Sequence, residues 1–251
     1  MQRDDPMDRD TARGVRPTVC ALVLAGGQGL RAGAAVPKQF VAVGGRPVIA
    51  HTMGVFQASA RVSHVHVVCA PQWADFVRRA AGEAGIGKLR LLPEAGATGI
   101  DSLMNGLQRL SQFYCGEDME NVWVMVHDSV RPLVTTGLID ANLDVALQRG
   151  NAITAVQSPE AYMVSDDGIQ SLGLVPREAL WRAQTPMTFT LGFLSRTLLE
   201  PWHEGRLPSS QSLYTLVRQL CPAMPLFIAP GSPLNFKLTT PEDLRMLERL
   251  L

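Results

Sequence analysis

Short apolar, β-branched runs alternate along this chain with longer stretches of helical period. Residues 19–25 are an apolar run that ends in glycines, and residues 47–58 carry helical spacing with Pro47 in the first turn. A strand over 65–70, a helix over 72–81 and a short strand over 89–92 follow. Ser102, Leu103, Gly106, Leu107 and Leu110 then fall on one helical face. Residues 122–126 are apolar without a break, which predicts a strand buried on both sides. A helix over 138–147 and a strand over 152–156 complete the series. This alternation predicts an α/β fold: a Rossmann-like, mostly parallel twisted sheet with helices on both faces. No internal repeat or low-complexity linker interrupts it, so 18–251 reads as a single domain.

One stretch departs from the pattern. Between 157 and 181, strand-like pieces flank Asp166-Asp167-Gly168, a hairpin signal. It predicts a projecting β-arm, which either pairs with a second subunit as a homodimer or stands alone as a surface hairpin. The first 17 residues are charged and lack an apolar centre, so they read as a frayed, disordered tail, neither signal peptide nor membrane span.

Composition narrows the class. The 251 residues are 46% hydrophobic and 18% charged with no net charge, as in an ordinary globular protein. Nothing in that balance calls for nucleic acid or a membrane surface as partner, and no apolar run approaches the roughly 20 residues of a membrane helix. Cys20, Cys69, Cys115 and Cys221 lack CxxC spacing. They read as buried free thiols of a reducing, cytoplasmic setting, ahead of disulfides or a zinc site.

The chemistry gathers around 25–38: Leu24-Ala25-Gly26-Gly27-Gln28-Gly29-Leu30-Arg31-Ala32-Gly33, then Pro37-Lys38-Gln39. A strand that runs into glycines presents successive backbone N–H groups and so favours anions. A Walker A loop would end in GK[ST], which is absent. The dinucleotide pattern is met formally by Gly27, Gly29 and Ala32, but it needs an acid about 20 residues on for a ribose. None stands between Asp10 and Asp75, and Pro37 would interrupt the helix that should follow. An ordinary strand-to-helix turn is the plain alternative. The remaining reading is a loop that wraps a nucleoside triphosphate, with Arg31 and Lys38 facing the charge that develops on pyrophosphate.

LAGGQGLR followed by PKQF resembles the signature loop of the 2-C-methyl-D-erythritol 4-phosphate cytidylyltransferase family, polyol-phosphate cytidylyltransferases that include a ribitol 5-phosphate group. The resemblance continues in order through Asp101-Ser102, Val126-His127-Asp128-Ser129-Val130-Arg131-Pro132, Arg177 with Leu180-Trp181-Arg182-Ala183-Gln184-Thr185-Pro186, and the segment 231–244. It implies a nucleotidyltransferase in which a phosphomonoester oxygen attacks the α-phosphorus of CTP and releases pyrophosphate. By resemblance, Arg31, Lys38 and Lys237 would be catalytic, and Ala25, Gly26, Gly27, Gly29, Ser102 and Asp128 would bind nucleotide. Asp128 and Asn235 would hold Mg2+, and Arg177 would bind the acceptor, in the pocket of a neighbouring subunit. Read alone, Asp128 could be a helix cap or a loop acid, Ser102 an N-cap, His127 a structural histidine and Arg131 a residue that orders its loop.

The donor side matches the family throughout, and the acceptor side does not. Gly99 stands where the family usually has arginine, Ala161 and Met163 stand where threonine and a lysine-like residue are usual, and Pro176 precedes Arg177. Ser209-Ser210-Gln211-Ser212-Leu213 replaces a stretch that usually carries two acids. These changes imply either a pocket retuned for another polyol phosphate or a divergent nucleotide-binding protein without catalysis.

Overall fold

A computed structural model of the chain describes residues 16–27, 36–171, 173–210 and 212–251. The expected tail lies almost wholly outside these residues, as do Gly29, Arg31 and Gln211.

Among the described residues the strands succeed one another as β1 (Thr18–Leu24), β2 (Ala42–Val43), β3 (Arg46–Pro47), β4 (His64–Val68), β5 (Leu89–Leu91), β6 (Val122–Asp128), β7 (Ala152–Gln157), β8 (Met163–Val164), β9 (Gly173–Leu174), β10 (Trp181–Thr190) and β11 (Ile228–Pro230). Seven of them form one sheet in the order β11-β7-β10-β6-β1-β4-β5. Every neighbouring pair in it is parallel except those made by β10, which runs antiparallel to both β6 and β7. The expected α/β architecture is therefore present.

Alternation along β1 separates two cores. Val19, Ala21 and Val23 join a cluster with Ile49 and Phe56 of α1 (Val48–Ala58), Val77 of α2 (Ala74–Glu83) and Ile139 of α4 (Thr136–Arg149). Cys20 and Leu22 point the other way, into a cluster with Leu103 and Leu107 of α3 (Gly99–Phe113), Leu194 and Leu216. Side chains of period two thus meet helices of period 3.6 on both faces. The run at 122–126 is buried at every position, as its unbroken apolar character predicts.

Element ends differ from the sequence reading in informative ways. Pro47 is the N-cap of α1 and not a first-turn residue, because its backbone stays extended in the β2–β3 hairpin. The helix expected over 72–81 begins as a separate 3-10 turn, Pro71–Trp73. Ser102 is not an N-cap: Thr98 caps α3 through a capping box with Asp101, which leaves Ser102 in the first turn. Thr240-Pro241-Glu242-Asp243 starts the last helix, with Thr240 as cap, the proline at its start and the acids in its first turn. The arm is a two-residue ladder, β8 with β9, and Gly168 supplies the left-handed residue of its turn (φ 71°). The thiols are unpaired, but Cys115 is exposed and Cys221 half-buried, so only Cys20 and Cys69 are buried as expected.

Candidate active site

Parallel strands deliver their carboxyl ends to one edge of the sheet, where open α/β folds place ligands. The last residue of β1, Leu24, is paired with the last residue of β6, Asp128. The backbone N–H of Ala25 continues the ladder to the Val68 carbonyl of β4 (2.8 Å). Above this edge opens a cavity of about 670 Å³, whose lining includes Gly26, Gly27, Lys38, Ser102, Asp128 and Lys237. Residues from opposite ends of the chain thus meet at one edge of the sheet. Ala25 lies beneath the cavity, buried, with its N–H and carbonyl both hydrogen-bonded.

Gly26 is required by contact. A Cβ there would sit 2.7 Å from Ala95 Cβ and 2.8 Å from Ser102 Oγ. Ser102 cannot yield, because its Oγ accepts from the Gly96 N–H (3.0 Å) and donates to the Thr98 carbonyl (2.9 Å). Ser102 therefore ties the loop before α3 to its own helix and forms the wall against which the glycine turn packs.

Asp128 is the electrostatic centre. Its Oδ2 accepts from Arg131 Nε (3.0 Å) and its Oδ1 from Lys237 Nζ (3.2 Å). Burial alone would raise its pKa, but the charges of Lys237 and Arg131 outweigh burial and hold the carboxyl below its ordinary value. The Asp128 N–H donates to Thr185 Oγ1 (3.1 Å), which fixes the strand end against β10. Arg131 also donates to the Asn235 carbonyl (2.8 Å), so it orders this loop, as its place beside Pro132 suggests. The neighbouring His127 is fully buried, with its ring nitrogen Nε2 against the Arg131 carbonyl and its ring edge-on to Phe56. Burial pushes its pKa down to about 4. It is a structural residue.

Asn235 stands behind the cavity wall, fully buried. Its Nδ2 donates to the Thr185 carbonyl (2.8 Å) and to Gln184 Oε1 (3.4 Å), while its Oδ1 is buried and has no hydrogen-bond partner among the described residues. Gln184 grips the same segment through Ser232, donating to its carbonyl (2.8 Å) and accepting from its N–H (3.3 Å). Gln184 and Thr185 belong to a motif that the resemblance identified without giving either a task. Their contacts depend on β10 lying beside β6, which no local pattern announces.

The residues expected on the acceptor side divide. Gly99, Ile100, Ser212 and Leu213 line the cavity, and Ser209 and Ser210 line a smaller adjoining one of about 400 Å³. Ala161, Met163 and Arg177 are exposed on the arm and line neither cavity. Among the described residues no cluster of three His, Cys, Asp or Glu side chains is placed to hold a metal, and no helix is long and apolar enough to cross a membrane.

Chemically, the cavity offers the backbone of Gly26 and Gly27, the cationic side chains of Lys38, Arg131 and Lys237, and the carboxylate of Asp128, which is already doubly paired. Among the described residues it holds neither an exposed acid–base pair nor an activated nucleophile. Such a surface can bind and orient a polyanion, and on a Rossmann-like sheet that is the arrangement of a nucleotide-handling α/β protein of the nucleotidyltransferase kind. The IspD family, 2-C-methyl-D-erythritol 4-phosphate cytidylyltransferase, matches residues 19–251, and the chain belongs to it. A 2-C-methyl-D-erythritol 4-phosphate cytidylyltransferase of Nitrosomonas eutropha is 33% identical, covering 92% of this chain and 95% of that protein. A ribitol-5-phosphate cytidylyltransferase of Streptococcus agalactiae is 29% identical over 91% of this chain and 93% of its own length. Among solved structures, the Thermus thermophilus 2-C-methyl-D-erythritol 4-phosphate cytidylyltransferase matches with a TM-score of 0.68 and 27% identity, covering 94% of this chain and 98% of that one. The 4-diphosphocytidyl-2C-methyl-D-erythritol synthase of Anaerococcus prevotii shares the fold at a TM-score of 0.77 and 21% identity, covering 93% and 96%.

Proposed function

We propose that this enzyme joins CTP to 2-C-methyl-D-erythritol 4-phosphate, giving 4-diphosphocytidyl-2-C-methylerythritol and pyrophosphate, as a cytoplasmic step of isoprenoid precursor synthesis. The observation that carries the reading is the convergence of Gly26, Gly27, Lys38, Asp128 and Lys237 on one cavity at the carboxyl edge of the sheet. The acceptor's phosphate oxygen is already ionised near neutral pH, so attack on the α-phosphorus needs no general base. Lys38 and Lys237, with Arg31 from the same glycine-rich segment, would neutralise the charge passing to pyrophosphate.

The residues also suit Mg2+. Asp128 lines the cavity and offers a carboxylate, and a hard cation that keeps most of its waters needs few protein oxygens; the unpartnered amide oxygen of Asn235 is buried behind the wall and would reach the ion only if the wall at Thr185 moved. Bound there with CTP, the ion would supply positive charge to the phosphates. Lys237 would exchange its contact with Asp128 for the nucleotide's phosphates.

The second reading is a ribitol or other polyol phosphate as acceptor. It is favoured by the Streptococcus agalactiae relative and by Gly99, Ser212 and Leu213 on the cavity wall. Pyrophosphate release from CTP and magnesium with each polyol phosphate in turn decides between them. Release with ribitol phosphate alone overturns the first reading. Stabilisation by CTP without release from any acceptor would leave a nucleotide-binding protein.

The arm is proposed to pair two copies, so that Arg177 of one reaches the acceptor pocket of the other. Tyr162, Met163, Val164, Ile169 and Trp181 leave it with an exposed apolar surface. A monomer in sedimentation at micromolar concentration would refute the dimer.

A further inference from the structure

Gln39 follows Lys38 in the single 3-10 turn Lys38–Phe40, and its side chain is buried, only 2% exposed. Its Nε2 donates to the Ala25 carbonyl (2.8 Å) and to the Gly27 carbonyl (2.7 Å). A carboxamide nitrogen carries two hydrogens, and both are committed to one short stretch of the glycine turn. We infer that Gln39 is a positioning residue for the nucleotide: it sets the orientation of the backbone at Gly26 and Gly27 and couples it to Lys38. This inference rests on the nucleotide reading above.

In a trans peptide the C=O and N–H point in opposite directions. Drawing the Ala25 carbonyl toward Gln39 therefore turns the Gly26 N–H away from Gln39, and Gly26 and Gly27 line the cavity beside Lys38. Glycine has little conformational preference of its own, and a Cβ on Gly27 would meet nothing within 4 Å. Packing does not hold that residue, so the hydrogen bond to its carbonyl does. Finally, the clamp is mounted on rigid core. Phe40, the next residue, is buried, stacks on Trp73 with ring centroids 4.4 Å apart and meets Phe76 edge-on. One short turn thus anchors itself with Phe40, holds the glycines with Gln39 and places Lys38 in the cavity.

Two substitutions in the full-length chain test this. Gln39→Met keeps the length and removes both donors. Gln39→Glu keeps the shape, places a carboxylate against two carbonyls, and regains one donor when protonated, which burial favours. In Gln39→Met, kcat/KM for CTP is expected to fall about 10²-fold, the scale of a misplaced reacting group, while KM for the polyol phosphate stays within about twofold of the parent. The affinity of Gln39→Glu for CTP, taken as a ratio to the parent, should recover as pH falls from 8 to 6, while the ratio for Gln39→Met stays flat. Gln39→Met, which adds no charge, separates the loss of the two donors from the repulsion that a carboxylate exerts on the phosphates. In the parent chain, both side-chain amide protons of Gln39 should exchange slowly and shift in NMR spectra when CTP is added. That readout decides the matter if the variants fail to fold: fast exchange overturns the inference. Folded variants that bind and turn over CTP like the parent also overturn it. If the parent itself does not bind CTP, the nucleotide reading fails and takes the inference with it.

Discussion

Asp128→Asn removes one charge from the centre of the site and leaves its shape. The carboxylate holds Arg131 Nε at 3.0 Å and Lys237 Nζ at 3.2 Å. Each such pair has a gross attraction of about 4 kcal/mol at an effective dielectric of 20 and about 4 Å separation. The two pairs do not count equally. The Lys237 side chain is 45% exposed and turns to water when its partner is lost, whereas Arg131 is 12% exposed and cannot. Arg131 keeps its bond to the Asn235 carbonyl, so the net loss is that of one charged hydrogen bond, about 1.5–3 kcal/mol. For a chain of this size that lowers Tm by roughly 3–12 °C. The sign with pH follows from the depressed carboxyl. Its stabilisation is complete above the unfolded value of about 3.9 and vanishes as pH falls through the folded value. The parent and the variant should therefore differ by a constant amount above about pH 5 and converge in stronger acid. On the functional side, magnesium-CTP should raise the Tm of the parent and not of the variant. Thermal unfolding with and without magnesium-CTP, together with pyrophosphate release, measures both effects. A variant that melts with the parent and keeps its kcat/KM would refute the placement of Asp128 at the centre of the site.

Three further outcomes are expected. Gly26→Ala drives a methyl group into Ala95 and a doubly bonded Ser102. It should cost about 1–3 kcal/mol and weaken CTP binding, while Gly27→Ala, whose Cβ meets nothing, should stay within about 0.5 kcal/mol in urea unfolding. Lys38→Ala should lower turnover about 10²-fold or more with Tm nearly unchanged, and near-normal turnover would refute its role. His66 and His127 are buried and neutral, with pKa values pushed down by burial to about 3 and about 4. The unfolded chain takes up protons below about pH 6.5 that the folded chain refuses, so stability should fall between pH 6.5 and 4 by about 1.4 kcal/mol per pH unit for each histidine; a flat urea midpoint from pH 7 to 5 would contradict that.

Much of the fold is legible in sequence because it depends on local period. Alternating apolar residues in β1, the unbroken run in β6 and the Thr240-Pro241 helix start each state their conformation within a few residues. The glycine turn and the acid at the end of β6 are legible for the same reason, since a strand end is a local event. What is not legible is which distant groups share a space. Thr98 takes the capping position from Ser102 through a local signature, Thr98-x-x-Asp101, which Ser102 lacks, whereas the bond that Ser102 accepts from the Gly96 N–H appears only in the folded chain.

Periodicity and short contiguous motifs are enough to fix the α/β class, the order of the elements, the family and the residue types that line the cavity. How the charges are held depends on the packing of distant segments. That packing sets Arg131 and Lys237 on Asp128, Thr185 beneath it and Gln39 under the glycines, and it leaves Arg177 on an exposed arm, outside the cavity. The physical reason is that hydrogen bonds and ion pairs act over about 3 Å, and the sheet order, which places β10 beside β6, alone decides which residues come that close.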